Sequence, residues 1–306
     1  MKKKAFSHIK EILRDAKKGK MFILVDDGDR ENEGDLVIPG SKCNSKNINF
    51  MAKHGRGLIC LALTSKKVKK LNLPLMSSVN KSRTQTAFTI SIESKKGVTT
   101  GISAHDRAKT IKVAIKPNAN RNSIVSPGHV FPLVAKDGGV LERAGHTEAS
   151  VDISKLAKLN PSAVICEVMN EDGTMARYKD LIIFAKKHRL KIAKIEDLIS
   201  HRLRNEKLIK CISNKKIKIK KYGSFDLKTF KNKLDGSEHF AITKGKFSKN
   251  KASRVRVIST NVLNSFFNFN KDIYKSSLKH LNKFNNFALI LIKGTNLNPT
   301  SSENNK

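Results

Sequence analysis

Residues 21–35 read Met21-Phe22-Ile23-Leu24-Val25-Asp26-Asp27-Gly28-Asp29-Arg30-Glu31-Asn32-Glu33-Gly34-Asp35. Five apolar residues run straight into a polar, glycine-bearing turn. A short apolar run of this kind reads as a buried strand. Upstream, Phe6, Ile9, Ile12, Leu13 and Ala16 recur at helical spacing, and Gly19 stops the helix. Downstream, residues 58–63, 88–92, 163–169 and 190–195 read as strands, and 178–188 and 196–203 as helices. Ser103 and Asp106 have capping-box spacing, which predicts a helix start there. Strands and helices alternate irregularly, so the expected architecture is a mixed sheet with helices packed on it.

The rest of the chain sets the frame. It has 306 residues, of which 39% are hydrophobic, enough for a packed core. That length suits one large domain or two modest ones. No run approaches the ~18 apolar residues of a membrane span, and no apolar stretch follows the basic N-terminus as in a secretory signal. Cys43, Cys60, Cys166 and Cys211 are scattered without a C-x-x-C pair. They read as free thiols in a reducing compartment, the cytoplasm. The formal net charge is +35, most of it lysine spread along the chain. No zinc-finger spacing, aromatic-basic ribonucleoprotein motif or basic-region zipper accompanies it, so nucleic-acid contact is expected to be non-specific and salt-sensitive at most.

The texture changes near Arg204, where motif-dense sequence gives way to Lys- and Asn-rich segments. Residues 222–225 and 239–243 read as strands there. The expected organisation is a domain over 1–204, a linker over 205–213, a smaller domain over 214–295 and a disordered tail over 296–306.

Five segments could carry chemistry. Residues 26–35 hold 6 of the 20 acidic residues found among the first 200. Like charges this dense repel one another, and either a divalent cation bound by oxygen ligands or plain solvation of a surface turn would relieve them. Arg30 could instead hold a substrate anion. The run is not an EF-hand, because neither the required Gly nor the terminal Glu falls in register. In Arg143-Ala144-Gly145-His146-Thr147-Glu148, small residues permit close backbone approach, Arg and Thr can grip a phosphate, and His can ligate a metal or move a proton. Ser126-Pro127-Gly128-His129-Val130-Phe131-Pro132 reads as a rigid loop around one histidine, either a positioned acid–base group or an ordinary turn. Residues 97–107 combine Thr99, Thr100 and Gly101 with a helix entry, a seat for an anion or simply a cap. Glu167 lies in an apolar strand beside Cys166, where a carboxylate is costly unless it is paired, functional or turned to water.

In order and wording, these segments resemble 3,4-dihydroxy-2-butanone 4-phosphate synthase of riboflavin biosynthesis, a lyase, over about residues 5–203. The carrying stretches are residues 26–35, 97–107, 127–132, 138–148 and 166–177. The resemblance implies an α+β fold, a three-layer arrangement with a mixed twisted sheet between helices. It implies conversion of D-ribulose 5-phosphate to L-3,4-dihydroxy-2-butanone 4-phosphate plus formate, and a homodimer with active sites at the subunit interface. The ion implied is Mg²⁺, with Mn²⁺ as the alternative, held by Glu31 and His146. Arg30, Glu31, Asp35, Arg143, Ala144, Gly145, His146, Thr147 and Glu167 match substrate contacts. His129 and Glu167 match positions essential to catalysis, and Glu33 and Thr100 lie in matching segments. The reaction starts with proton removal beside a carbonyl, then loses water, rearranges its skeleton and expels C4. Each step asks for proton carriers poised near neutrality, and Asp35 and Glu33 both remain candidates for the first proton. The one departure is Gln85, in residues 80–88, where relatives usually carry Gly.

Residues 222–225, 234–245 and 255–259 resemble the start of GTP cyclohydrolase II, giving a smaller α/β remnant. Where that family places three zinc-binding cysteines, the ungapped positions here hold Asn261, Asp272 and Tyr274. Asn and Tyr are poor zinc ligands, so a degenerate domain without cyclohydrolase activity is expected. The competing whole-chain reading is a basic RNA- or anion-binding protein with a decayed enzyme domain.

Overall fold

The computed structural model describes residues 6–248, 252–260 and 271–293. The chain forms two compact units, Met1–Asn205 and Glu206–Lys306.

The first unit opens with helix α1 (Ile9–Lys17), capped by the Glu11 carboxylate accepting from the His8 backbone N–H and ended at Gly19, whose φ is +71°. Strand β1 (Phe22–Val25) and strand β2 (Gly34–Pro39) follow, both buried along their whole length. Then come helix α2 (Ser45–Phe50), a π-helical turn (Met51–Gly55), β3 (Cys60–Thr64), α3 (Ser65–Leu71), β4 (Ile92–Ser94), α4 (Ala104–Ala114) and β5 (Ile124–Ala135). Helix α5 (His146–Leu156), β6 (Ser162–Glu167), α6 (Tyr178–Lys187), β7 (Lys191–Lys194) and α7 (Ile195–Asn205) complete it. The seven strands lie in the order β4-β5-β3-β6-β2-β1-β7. The β3–β5 and β1–β7 pairs are parallel and the others antiparallel, so the sheet is mixed.

Period-2 alternation sends the strand side chains to two separate cores. On one face Ile23, Leu36, Ile38, Leu61 and Val164 meet Ile48 of α2, Leu71 of α3, Ile111 of α4 and Leu181 of α6. On the other, Phe22, Leu24, Val37 and Ile165 meet Ile9 and Ile12 of α1, Ile153 of α5 and Leu198 of α7. Helices on both faces make the three layers expected from the resemblance. No described helix is long and apolar enough to cross a membrane. All four cysteines are free thiols.

The second unit contains β8 (Ile209–Ile219), β9 (Gly223–Asn232), β10 (Glu238–Lys244), β11 (Arg254–Thr260), α8 (Lys271–Leu281) and β12 (Phe287–Lys293). Its sheet runs β11-β12-β10-β9-β8, with the β11–β12 pair parallel. One core, with Phe225, Ile258, Leu278, Phe287 and Leu289, joins the sheet to α8.

Three expectations need correction. The strand read over 88–92 starts only at Ile92, because residues 88–89 make isolated bridges instead: Phe88 to Leu133 and Thr89 to Leu75. The segment 126–132 lies inside β5 rather than in a free loop. Even so, Glu93 pairs with Val125 while its neighbour Ile92 pairs with Val130, so residues 126–129 bulge out with no partner on β4. The stretch read as a linker, 205–213, carries the first residues of β8. Of the zinc-equivalent positions, Asn261 and the side chain of Asp272 lie outside the described residues, as does the tail 296–306. Tyr274 is partly buried in the core of the second unit.

Candidate active site

The acidic run bridges β1 and β2 as an eight-residue loop, tied at its ends by the Asp26 N–H donating to the Glu33 carbonyl at 3.3 Å. Its organiser is Asp26, whose side chain is 1% exposed. One carboxylate oxygen accepts from Arg30 Nη1 (2.7 Å) and the Glu31 N–H (3.2 Å), the other from the Glu33 N–H (2.9 Å). Arg177 clamps the same loop, donating to the Glu31 and Asn32 carbonyls at 2.7 and 2.6 Å and pairing with Glu33 at 3.7 Å. The repulsion read from the sequence is therefore offset partly by the chain's own arginines and amides.

Helix α5 begins at His146, with Gly145 at the N-cap. The imidazole is 6% exposed and lies between two carboxylates: Nδ1 is 3.6 Å from Glu31 Oε2 and Nε2 is 3.8 Å from Asp35 Oδ1. Burial pulls the imidazole pKa down, but Asp35, Glu31 and Asp26 outweigh it and raise it to about 9. The His146 imidazole beside it lowers Glu31 to about 2, against the opposing effect of burial and with Arg30 adding to it. Asp35 sits directly opposite Glu167 in the β2–β6 ladder. Burial, together with Glu167, Glu31 and Glu33, raises Asp35 to about 7 although His146 opposes them. Glu33 is raised too, first by burial and then by Glu31. Glu167 accepts from the Leu58 N–H at 2.8 Å, and a side chain at Gly57 would crowd it.

Asp26, Glu31 and His146 place ligand atoms within 4.8 Å of one another. Among the described residues, His146 Nε2 is buried without a hydrogen-bond partner, as a nitrogen left for a cation would be. Asp26 was not singled out for this role from sequence. With both its oxygens taken by the loop, it serves better as scaffold, leaving Glu31 and His146 as the freer donors.

The segment read from the sequence as an anion grip is pre-set as well. Arg143 Nη1 donates to Glu148 Oε2 at 2.6 Å, and Nη2 donates to the Thr84 carbonyl at 2.9 Å and Thr86 Oγ1 at 3.0 Å. Glu148, Thr84 and Thr86 escaped the sequence reading because their roles arise from the fold, not from spacing. Arg83 donates to the Arg30 carbonyl at 3.3 Å, so the loop over 80–88 touches both halves of the site. Gln85 has φ +52°, a left-handed conformation that glycine adopts without cost. Ala144 shares a cavity of about 360 Å³ with Asp26, Arg30 and Glu33, and Thr147 is buried. A side chain at Gly145 would overlap the Arg143 guanidinium. Gly145→Ala is therefore expected to displace Arg143 and raise KM for a phosphorylated substrate about tenfold or more, with kcat less affected, as steady-state kinetics would show.

His129 and Thr100 belong to a second group. His129 Nδ1 lies 3.0 Å from Glu93 Oε1, and the exposed Thr100 precedes Gly101, which packs on that carboxylate. Among the described residues, no hydrogen bond or ion pair joins this group to Glu31 or His146.

Residues 10–201 match the family model for 3,4-dihydroxy-2-butanone 4-phosphate synthase. The chain belongs to that synthase family. Residues 210–292 match the model for GTP cyclohydrolase II. The riboflavin biosynthesis protein RibBA of Aquifex aeolicus (strain VF5) is 52% identical over 256 residues, which are 83% of this chain and 63% of that protein. The 3,4-dihydroxy-2-butanone 4-phosphate synthase of Photobacterium phosphoreum is 51% identical, over 82% of this chain and 69% of its own length. The chain thus spans about two thirds of these relatives. Among solved structures, RibBX, a two-domain synthase from A. baumannii, aligns with TM-score 0.79 and 43% identity, covering 95% of this chain and 83% of that one. A 3,4-dihydroxy-2-butanone 4-phosphate synthase in complex with two magnesium ions aligns with TM-score 0.63 and 38% identity, over 65% of this chain and 98% of that one.

Proposed function

We propose that the first unit converts D-ribulose 5-phosphate to L-3,4-dihydroxy-2-butanone 4-phosphate and formate, with Mg²⁺ held by Glu31 and His146. The observation that carries this reading is the convergence of Glu31 and His146, with Asp26 behind them, whose ligand atoms lie within 4.8 Å of one another. The relative complexed with magnesium supports the ion, and Mn²⁺ suits the same hard oxygen and imidazole donors. When bound, the cation stabilises negative charge developing on the substrate oxygens.

The chain's own residues do the rest. Asp35 is raised into the range where a carboxylate can take a proton and return it at neutral pH, and Glu33 is the second candidate. Glu167, fixed by the Leu58 amide, faces the same group and serves the later proton transfers with His129. Arg143, held rigid by Glu148, Thr84 and Thr86, grips the phosphate with Thr147 and the α5 N-terminus. Arg30 orients the substrate from the acidic loop, and Thr100 contacts it from the second group. The working form is a homodimer in the cytoplasm, with His129 and Thr100 meeting Glu31 and His146 at the interface. The second unit is a degenerate GTP cyclohydrolase II-like domain.

The test is formate release from D-ribulose 5-phosphate by the full chain, with Mg²⁺ and with EDTA. Mg²⁺-dependent formate is expected from the pentulose and none from GTP. A folded protein that releases no formate with Mg²⁺ would overturn the reading and favour the basic binding protein.

A further inference from the structure

We infer that Glu93 is a positioning residue for His129: it holds the imidazole Nδ1 so that Nε2 is the nitrogen presented for proton transfer. This rests on the proposed synthase reading, in which His129 moves a proton.

The geometry is built around that pair. Nδ1 lies 3.0 Å from Glu93 Oε1, and the His129 side chain is 43% exposed, against 16% for Glu93. An ionised carboxylate can only accept, so the contact places the ring proton on Nδ1 and leaves Nε2 with its lone pair. Carboxylate partners of this kind fix tautomer and ring orientation elsewhere in acid–base chemistry.

Three backbone features make room for the contact. The four residues 126–129 bulge from β5 opposite no residue of β4, and so carry His129 out of the ladder. Ser126 Oγ donates to the Ser91 carbonyl at 2.6 Å and the Gly128 N–H donates to Ser91 Oγ at 3.1 Å, pinning the bulge to the segment before β4. Gly128 is pressed so closely on the Ile92 backbone that a Cβ would collide with it. Opposite, Gly101 has φ +88°, and a Cβ there would overlap the Glu93 carboxylate. Its loop is held by Asp106, which accepts from Thr99 Oγ1 at 2.7 Å and the Gly101 N–H at 3.1 Å. An exposed histidine with no assigned task would need none of this bracing.

The experiment is a double-mutant cycle on the Mg²⁺-loaded full chain, with formate release as the rate and ¹⁵N NMR of the histidine ring as the second readout. In wild type the His129 ring is expected as the Nδ1–H tautomer. Glu93→Gln should relax that preference and lower kcat by about ten- to a hundredfold, with little change in KM. In a His129→Asn background, Glu93→Gln should cost less than about twofold more, because its effect passes through the imidazole. Glu93→Asp, which keeps the charge, should recover part of the loss. Additive rate losses, or an unchanged tautomer in Glu93→Gln, would overturn the inference. If wild type releases no formate yet shows the Glu93-dependent tautomer, the synthase reading fails while the positioning stands. Equal melting temperatures across the set exclude a folding defect.

Discussion

Replacing Glu31 by Ala is expected to lower Mg²⁺-dependent formate release at pH 7.5 by at least ~10³-fold, about 4 kcal/mol of transition-state stabilisation. The variant loses more than one candidate ligand. Glu31 also accepts from Arg30 Nη1 at 2.6 Å and lies 3.6 Å from His146 Nδ1, so its removal frees both the arginine and the imidazole. The loop itself should survive, because the anchors on its backbone come from Asp26 and Arg177, not from Glu31. Circular dichroism and melting temperature should therefore stay near wild type while isothermal calorimetry no longer detects Mg²⁺ binding. Retained activity with retained Mg²⁺ binding would remove Glu31 from the metal site.

Cation binding should also be coupled to proton release. In the ion-free protein, His146 is raised to about 9 by Asp35, Glu31 and Asp26 against the pull of burial, so it carries a proton at pH 7. A cation must displace that proton to reach the nitrogen. Apparent Mg²⁺ affinity is expected to climb by up to tenfold per pH unit from pH 7 and to level off near pH 9, with close to one proton released per ion at pH 7.5. Calorimetry in buffers of different ionisation enthalpy measures this directly. The sign for stability without metal follows from the same groups. His146 is raised above its ordinary 6.5, so its contribution is full below 6.5 and is lost as pH rises through about 9. Asp35 is raised from 3.8 to about 7, mainly by burial, so its contribution fades as pH rises through about 7. Glu31, lowered from 4.5 to about 2 first of all by the neighbouring His146 imidazole, keeps its full contribution above 4.5 and loses it as pH falls through about 2. The ion-free melting temperature should accordingly fall between pH 6 and 9, and added Mg²⁺ should restore it most at the alkaline end. A flat profile in EDTA would show that the three groups do not interact as the geometry implies.

How much of this was legible beforehand depended on how local the signal was. The strand at 21–25 could be read from five consecutive apolar residues, and the Ser103 cap from a three-residue spacing; its Oγ does accept from the Asp106 N–H at 3.0 Å. The Asp106 carboxylate, however, turns to Thr99 and Gly101 instead of closing the box. Asp26, Glu31 and Glu33 announced themselves by charge density, but not their division of labour, since that depends on which backbone N–H groups the turn aims inward. Residues 88–92 misled because an apolar, β-branched stretch reads the same whether it pairs along its length or bridges two elements at single points. The bulge at 126–129 was hidden because a bulge is a relation between two strands, and one strand alone does not contain it. Glu148, Thr84 and Thr86 were hidden for the same reason: each meets Arg143 only after the chain has folded.

Asp26 ties the acidic loop through three inward donors and an almost fully enclosed carboxylate. Much of the loop's shape is thus written in its own donors and acceptors. An ion entering it would meet groups already in place, so little ordering of the backbone would have to be offset by its binding.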